Sequence, residues 1–164
     1  MSNFIHPITL EAAYEVASNL RPEDYRECVE GHGINPTVDI PLASLHGSCQ
    51  YFTVPNGETA GIVGVADNRI WMLCTPAIHK YPLTFAREAK RYVEKLDKKF
   101  LWNIVDARNE VHIKLLKFLD FNLTGQVKYG PNNLNFILFT NDRTCSRSSP
   151  SGHGDHVSLR TTVT

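Results

Sequence analysis

Residues 100–121, Phe-Leu-Trp-Asn-Ile-Val-Asp-Ala-Arg-Asn-Glu-Val-His-Ile-Lys-Leu-Leu-Lys-Phe-Leu-Asp-Phe, restrict this chain to a narrow set of folds. Leu101, Ile104 and Val105 supply apolar strand positions, residues 106–109 form a polar turn, and Val111, Leu115, Leu116 and Leu119 then recur at helical spacing. A strand that runs straight into a helix is the corner where α/β folds place a ligand, outside the strand's carboxyl end. Asn109 stands where a helix N-cap belongs, and that role is compatible with touching a ligand.

The flanking sequence fills in the layers. Residues 4–8 suit a short first strand, and Thr9 is a helix N-cap followed by Glu11 in the first turn. Ala13, Val16, Ala17 and Leu20 make that helix's apolar face. Pro22 opens a second helix, with Glu23 and Asp24 at its start and Gly31 at its end. Residues 31–41 hold too many breakers for either element and are expected to be a loop. Residues 49–54 and 59–66 are β-prone and flank Pro-Asn-Gly-Glu, which predicts a hairpin with Asn56-Gly57 in a type I′ turn. Asp67-Asn68 turns the chain into a third strand at 69–74, completing an antiparallel meander.

After a loop at 75–81, Pro82 starts a long helix striped by Ala86, Ala89, Val93, Leu96 and Phe100, its other face crowded with charge. That charged face is expected to be solvated. Residues 126–129 and 134–140 form a closing hairpin around Gly130-Pro131-Asn132-Asn133. The domain is therefore expected over 1–141, with 142–164 as a flexible Ser-, Arg- and His-containing tail. The element order is β-α-α-β-β-β-α-β-α-β-β.

Composition excludes several classes. The chain has 164 residues, 42% of them hydrophobic, enough to bury a core without disulfide or metal staples. A formal net charge of zero gives no long-range attraction to nucleic acid. Cys28, Cys49, Cys74 and Cys145 are far apart and show no metal or redox spacing, so they read as free thiols of a reducing compartment. His153 and His156 in the tail do not amount to a metal site. The first ten residues lack the pattern of a secretory signal, and no apolar run approaches the ~20 residues of a membrane helix. Trp71 and Trp102 are expected between sheet and helices, Cys74 as a small buried apolar residue, and His112 as a surface or packing residue.

The element order resembles the GNAT (general-control-related N-acetyltransferase) fold over roughly residues 3–140, a mixed, mostly antiparallel sheet. In its Asn–helix motif, Asn109 and Phe121 match, while His112, Leu116 and Asp120 stand at the small-residue, tyrosine and glycine places. The pyrophosphate loop of the family, Gln/Arg-x-x-Gly-x-Gly/Ala, corresponds to His79-Lys80-Tyr81-Pro82-Leu83-Thr84, which lacks both glycines. Residues 69–121, with Trp71, Leu101-Trp102-Asn103, Asn109, His112-Ile113 and Leu116-Lys117, are similar to small GNAT-like proteins of short-tailed bacteriophages, including those called internal virion protein A.

The resemblance implies an acetyl-CoA-dependent N-acyltransferase in which an amine attacks the thioester directly, between the fourth and fifth strands. Its alternative is a non-catalytic virion or host-interaction module. It implies coenzyme contacts from His79, Lys80, Thr84 and Asn109, and from Met72, Leu73 and Cys74 on the fourth strand. A backbone N–H near Met72 or Leu73 would polarise the carbonyl. An amine of pKa ~10.4 needs roughly 4 to 5 kcal/mol to lose its proton at pH 7, so a base would help. His46, Glu58 and Asp67 are the candidates, with Tyr129 as a substitute for the acid tyrosine that Leu116 replaces. The implied setting is a host cytoplasm, with packaging into a virion, and the implied partner a coenzyme A thioester or a host or virion protein.

Overall fold

The computed structural model describes residues 3–144. The expected α/β architecture is present: seven strands in one sheet, β1 (Ile5–Pro7), β2 (Ser48–Thr53), β3 (Thr59–Ala66), β4 (Arg69–Cys74), β5 (Phe100–Asp106), β6 (Asn122–Tyr129) and β7 (Leu134–Asp142). They lie in the order β1-β2-β3-β4-β5-β7-β6. Every pairing is antiparallel except β4 with β5. The helices are α1 (Leu10–Ser18), α2 (Pro22–Arg26), α3 (Pro36–Ala43), α4 (Pro82–Lys95) and α5 (Glu110–Phe118).

β3 shows how the layers form. Its side chains alternate between the faces, so Ile62 joins Ala13, Val16, Ala17, Cys28 and Ile40 under α1–α3. Val63 and Val65 point the other way, into a core with Leu101, Val105, Leu116, Phe121 and Phe139 under α4 and α5. Both faces are covered, which is why Thr59–Ala66 is an almost unbroken apolar run. Thr9 caps α1 as expected, its hydroxyl accepting from the N–H of Ala12 at 3.1 Å.

Five local expectations are corrected. The segment 31–41 is only partly loop, because Pro36 opens α3 at a position that needs no N–H, and Asp39 accepts from the N–H of Asn35 at 2.7 Å. The helix begun at Pro22 does not stop at Gly31. It widens into a π-helical turn over Glu27–His32 and ends at Gly33, whose φ of 68° is left-handed. The β2–β3 turn is not type I′: Gly57 N–H donates to Val54 C=O at 2.8 Å, and Gly57 alone has positive φ. Pro55 holds its own φ negative, which favours a type I turn with Gly57 in the bulge position. Finally, residues 75–81 contain a 3₁₀ turn (Pro76–Lys80), and α4 stops at Lys95, leaving Leu96 and Phe100 outside the helix.

At the end of α5 the left-handed position falls on Asp120, at φ 64°. Phe121 N–H then donates to Leu116 C=O at 3.0 Å, closing the helix and seating Phe121 in the core.

Candidate functional site

The parallel pair β4 and β5 meets at a single register point, Arg69 opposite Trp102, where Trp102 N–H donates to Asn68 C=O at 3.0 Å. Beyond it the strands diverge. Asn103 bridges the start of the opening, its Nδ2 donating to Ile70 C=O at 2.8 Å. At the far end, Cys74 turns both backbone groups towards the opening: its N–H donates to Asp24 Oδ2 at 2.8 Å and its C=O accepts from Arg21 N–H at 2.9 Å. Ile70 and Cys74 therefore face the same way. The two-residue period of the strand turns the N–H and C=O of Met72, between them, into the opening as well.

A polar cluster fills the carboxyl end of this opening. Arg21 grips Asp24 with a fork, Nε to Oδ2 at 3.0 Å and Nη2 to Oδ1 at 2.9 Å. Arg21 Nη2 also donates to Asn109 Oδ1 at 2.7 Å. Asn109 donates through Nδ2 to Asp24 Oδ1 at 3.1 Å and Glu27 Oε2 at 2.8 Å, and caps α5 by accepting from His112 N–H at 3.4 Å. Both donors and both lone pairs of the Asn109 amide are thus engaged. Glu27 Oε1 accepts from Asp106 N–H at 3.1 Å, so this one carboxylate ties α2's continuation to β5 and α5. Arg21, Asp24 and Asn109 are at most 2% exposed, and Glu27 is 6% exposed.

The charges in this cluster are not equal. Burial pushes the Glu27 carboxyl up to about 7, against the opposing hydrogen bonds from Asn109 and Asp106. Burial also lowers His112, keeping its imidazole neutral. Burial works against the Arg21 charge, yet Asp24 more than offsets it and holds the guanidinium protonated. One oxygen each from Asp24 and Glu27 and one ring nitrogen of His112 lie within 4.8 Å of one another. The oxygens are already taken by Arg21, Cys74, Asn109 and Asp106, and Arg21 is cationic. The group is a hydrogen-bonded network rather than an open metal-ligand set.

A cavity of about 430 Å³ opens beside the cluster. It is lined by Thr84, Phe85 and Glu88 on α4, by Met72 and Asn103 at the diverging strands, and by Glu27, His32, Trp71 and Leu73 on the α1–α3 side. One space therefore joins the amino end of α4, the opening in the sheet, and the opposite face.

No protein-family model matches this chain, and no curated protein matches it. Solved structures do. Spermidine N-acetyltransferase from Vibrio cholerae in complex with CoA and spermine superposes with a TM-score of 0.62 at 9% identity, over 85% of this chain and 95% of its own. A GNAT-family acetyltransferase from Bacillus anthracis gives 0.62 at 9%, over 85% and 93%. The yncA protein of Salmonella typhimurium, solved with its cofactor acetyl-CoA, gives 0.60 at 13%, over 92% and 100%. The chain has the GNAT fold.

In this GNAT fold the residues singled out from sequence divide into two groups. Met72, Leu73 and Thr84 line the cavity, and Cys74 and Asn109 belong to the polar cluster. Leu116, at the family's tyrosine place, is buried and lines the cavity. His46 is exposed at the cavity's rim. Glu58 and Lys80 pair with each other at the surface, Lys80 Nζ donating at 2.8 and 2.9 Å, and this hydrogen bond lowers the Glu58 carboxyl. His79 and Asp67 are exposed. Tyr129 packs edge-on against His32 and Phe136 near the tip of the closing hairpin and does not line the cavity. Cys145, His153 and His156 lie outside the described residues.

Arg21, Asp24 and Glu27 were not anticipated as site residues. Their signal was present: three charged residues three apart, in a helix with no continuous apolar stripe, on a chain that must cover its sheet. Burial of Arg21, Asp24 and Glu27 is tolerated because each is satisfied by polar partners within the cluster.

The coenzyme fit can be tested at α4. Pro82 lacks an N–H, leaving Leu83 and Thr84 as first-turn amides without intrahelical partners, with the Thr84 hydroxyl and Lys80 nearby in the chain. These donors suit phosphate oxygens, and Thr84 shares a cavity with Met72.

Proposed function

We propose that this chain is a GNAT-type N-acyltransferase that moves an acyl group from a coenzyme A thioester to an amine in the opening between β4 and β5. The observation that carries the reading is the placement of Glu27, a carboxylate tuned to about 7, on a cavity that also reaches the inward-turned backbone of Met72. No candidate base found in sequence combines these properties.

The bound thioester supplies the activated acyl group. Leu83, Thr84 and Lys80 meet its phosphates, and Met72 N–H donates to the acyl oxygen as negative charge develops there. The acceptor amine enters from the α1–α3 side, past His32 and Trp71. Glu27 takes its proton as the C–N bond forms and the C–S bond breaks. The departing thiol, with a pKa near ~8.5, leaves without needing a strong acid, so Leu116 in place of a tyrosine is tolerated.

Calorimetry with acetyl-CoA, followed by transfer assays over a panel of primary amines, tests this. Binding and transfer are expected, with Glu27→Gln slowing transfer by roughly 10²- to 10⁴-fold. Absence of heat at millimolar acetyl-CoA would overturn it.

Two observations favour a second reading, a non-catalytic GNAT-fold module of a bacteriophage virion or one that engages a host protein. Pro82 stands in a glycine-free phosphate loop, and Asp24 occupies the Cys74 amide that an extended ligand along β4 would use. The likeness of residues 69–121 to phage proteins points the same way. Mass spectrometry of purified particles decides it: absence from them would remove the virion role.

A further inference from the structure

The cavity continues past Met72 in a direction that acetyl transfer does not need. Helix α4 has fourteen residues, yet only Val93 is buried. Its remaining inward residues, Phe85, Ala89 and Tyr92, pack on the edges of the core and are only partly buried, because each also borders the cavity. The opposite wall is Ile70 on β4 and Val63 on β3, and the floor is Leu119, Phe121 and Phe139. These are apolar side chains from four separate elements around one space.

We infer that this inner chamber receives the hydrocarbon tail of the transferred acyl group, so that the preferred donor is a medium-chain acyl-CoA rather than acetyl-CoA. The inference rests on the acyltransferase reading above and extends it to the donor's chemical class. Geometry carries it: one cavity touches both Met72, where the thioester carbonyl is held, and the apolar end wall at Ile70 and Phe139. From Met72 to Arg69, where β4 and β5 pair and the opening closes, is three strand residues, about 10 Å. An extended chain advances about 1.2 Å per bond, so roughly eight carbons span that distance. The chamber also lacks what a polar occupant would require. Glu88 lines it, but its carboxylate is already engaged by Arg91 at 2.6 Å. Tyr92 contributes a buried hydroxyl with no partner among the described residues, too little to hold a charged group.

The test is a binding series on the full chain with coenzyme A itself, then acetyl-, butyryl-, hexanoyl- and octanoyl-CoA. Each fully buried methylene corresponds to about a fourfold gain in affinity. Affinity is expected to climb by up to about sixteenfold per two-carbon step as far as octanoyl-CoA. In Ala89→Phe, which places a ring in the chamber, the climb is expected to flatten while the circular dichroism of the folded chain is retained. If coenzyme A and acetyl-CoA bind but butyryl- and hexanoyl-CoA bind no better, the chamber proposal is overturned and the acyltransferase reading stands. If neither coenzyme A nor any thioester binds, both fall. Should Ala89→Phe fold and keep the full climb, the tail lies elsewhere and the chamber is misassigned.

Discussion

The two walls of the opening between β4 and β5 are built on opposite principles. On the α2 side, Arg21, Asp24, Glu27 and Asn109 form a dense polar wall in which each group has a fixed partner. On the α4 side the wall is mostly apolar, and Phe85, Ala89 and Tyr92 pack on the core while leaving a cavity between them and the sheet. Hydrogen bonds in a buried site hold a geometry to within tenths of an ångström, because every misplacement leaves a polar group unsatisfied. Dispersion contacts across a cavity impose no such demand, and that wall can adjust to an occupant. The contrast assigns precision to the side that handles the proton and room to the side that handles the donor.

The first way to break this comparison is to unlock the polar wall. In Arg21→Ala, Asp24 loses its fork and remains a buried carboxylate held only by Cys74 and Asn109. Removing one partner of such a pair costs about 3–5 kcal/mol, the largest effect expected from any substitution here. Urea denaturation reads it, and a loss below 1 kcal/mol would show that the wall is not the rigid element.

The second concerns Glu27 and has a sign that can be worked out. Its carboxyl rises from 4.5 in the unfolded chain to about 7 in the folded one. Between those values the folded state holds the proton more tightly, so stability falls as pH rises across the window and is fully reduced above it. The span corresponds to on the order of 3 kcal/mol. Thermal melts from pH 4.5 to 7 are expected to show this decline in the parent chain, and Glu27→Gln to remove it. The transfer rate runs the opposite way, rising with pH through about 7 as the base ionises. A rate insensitive to pH in this window would take Glu27 out of the chemistry.

How much of this was legible in the sequence follows the range of the interactions. The strand–turn–helix at 100–121 and the Thr9 cap are local, set by side-chain period and turn chemistry, and appear where the pattern put them; both hairpins form as well, although the first turn is not type I′ and the closing hairpin's first strand begins at Asn122 rather than at 126. The misses in the fold were also local but ambiguous. Pro36 and Pro41 read as breakers, although Pro36 stands at the first position of α3, where a proline is no obstacle, and Pro41 is accommodated inside it, while Pro55 shifted the role of Asn56-Gly57 by fixing its own φ. The site is different in kind. Asn109 announced itself as a cap, but its partners Arg21, Asp24 and Glu27 are 88, 85 and 82 residues away, and no local pattern reports such a meeting. Glu58 and Lys80, each chosen separately as base and phosphate ligand, prove to be partners of one another, which only the folded chain could reveal.

That pair supplies the smallest expected effect on the fold and sharpens the comparison most. Lys80 is 57% exposed and Glu58 46%, and an ion pair in water at the surface contributes little to stability. Lys80→Ala is therefore expected to leave the melting temperature unchanged, while Glu58 returns towards its ordinary carboxylate range once the hydrogen bond that lowers it is gone. Lys80 nevertheless ends the turn that leads into α4, where phosphates would meet the amides of Leu83 and Thr84. If it exchanges Glu58 for a phosphate, coenzyme A affinity falls in the variant. The deficit should shrink as salt is raised, since screening weakens an exposed charge far more than a buried one. Arg21→Ala should behave in the reverse manner, with a large loss of stability that salt barely changes. An unaltered affinity in Lys80→Ala at low salt would mean that the donor approaches α4 without using its loop charge, leaving the two first-turn amides as the phosphate contacts.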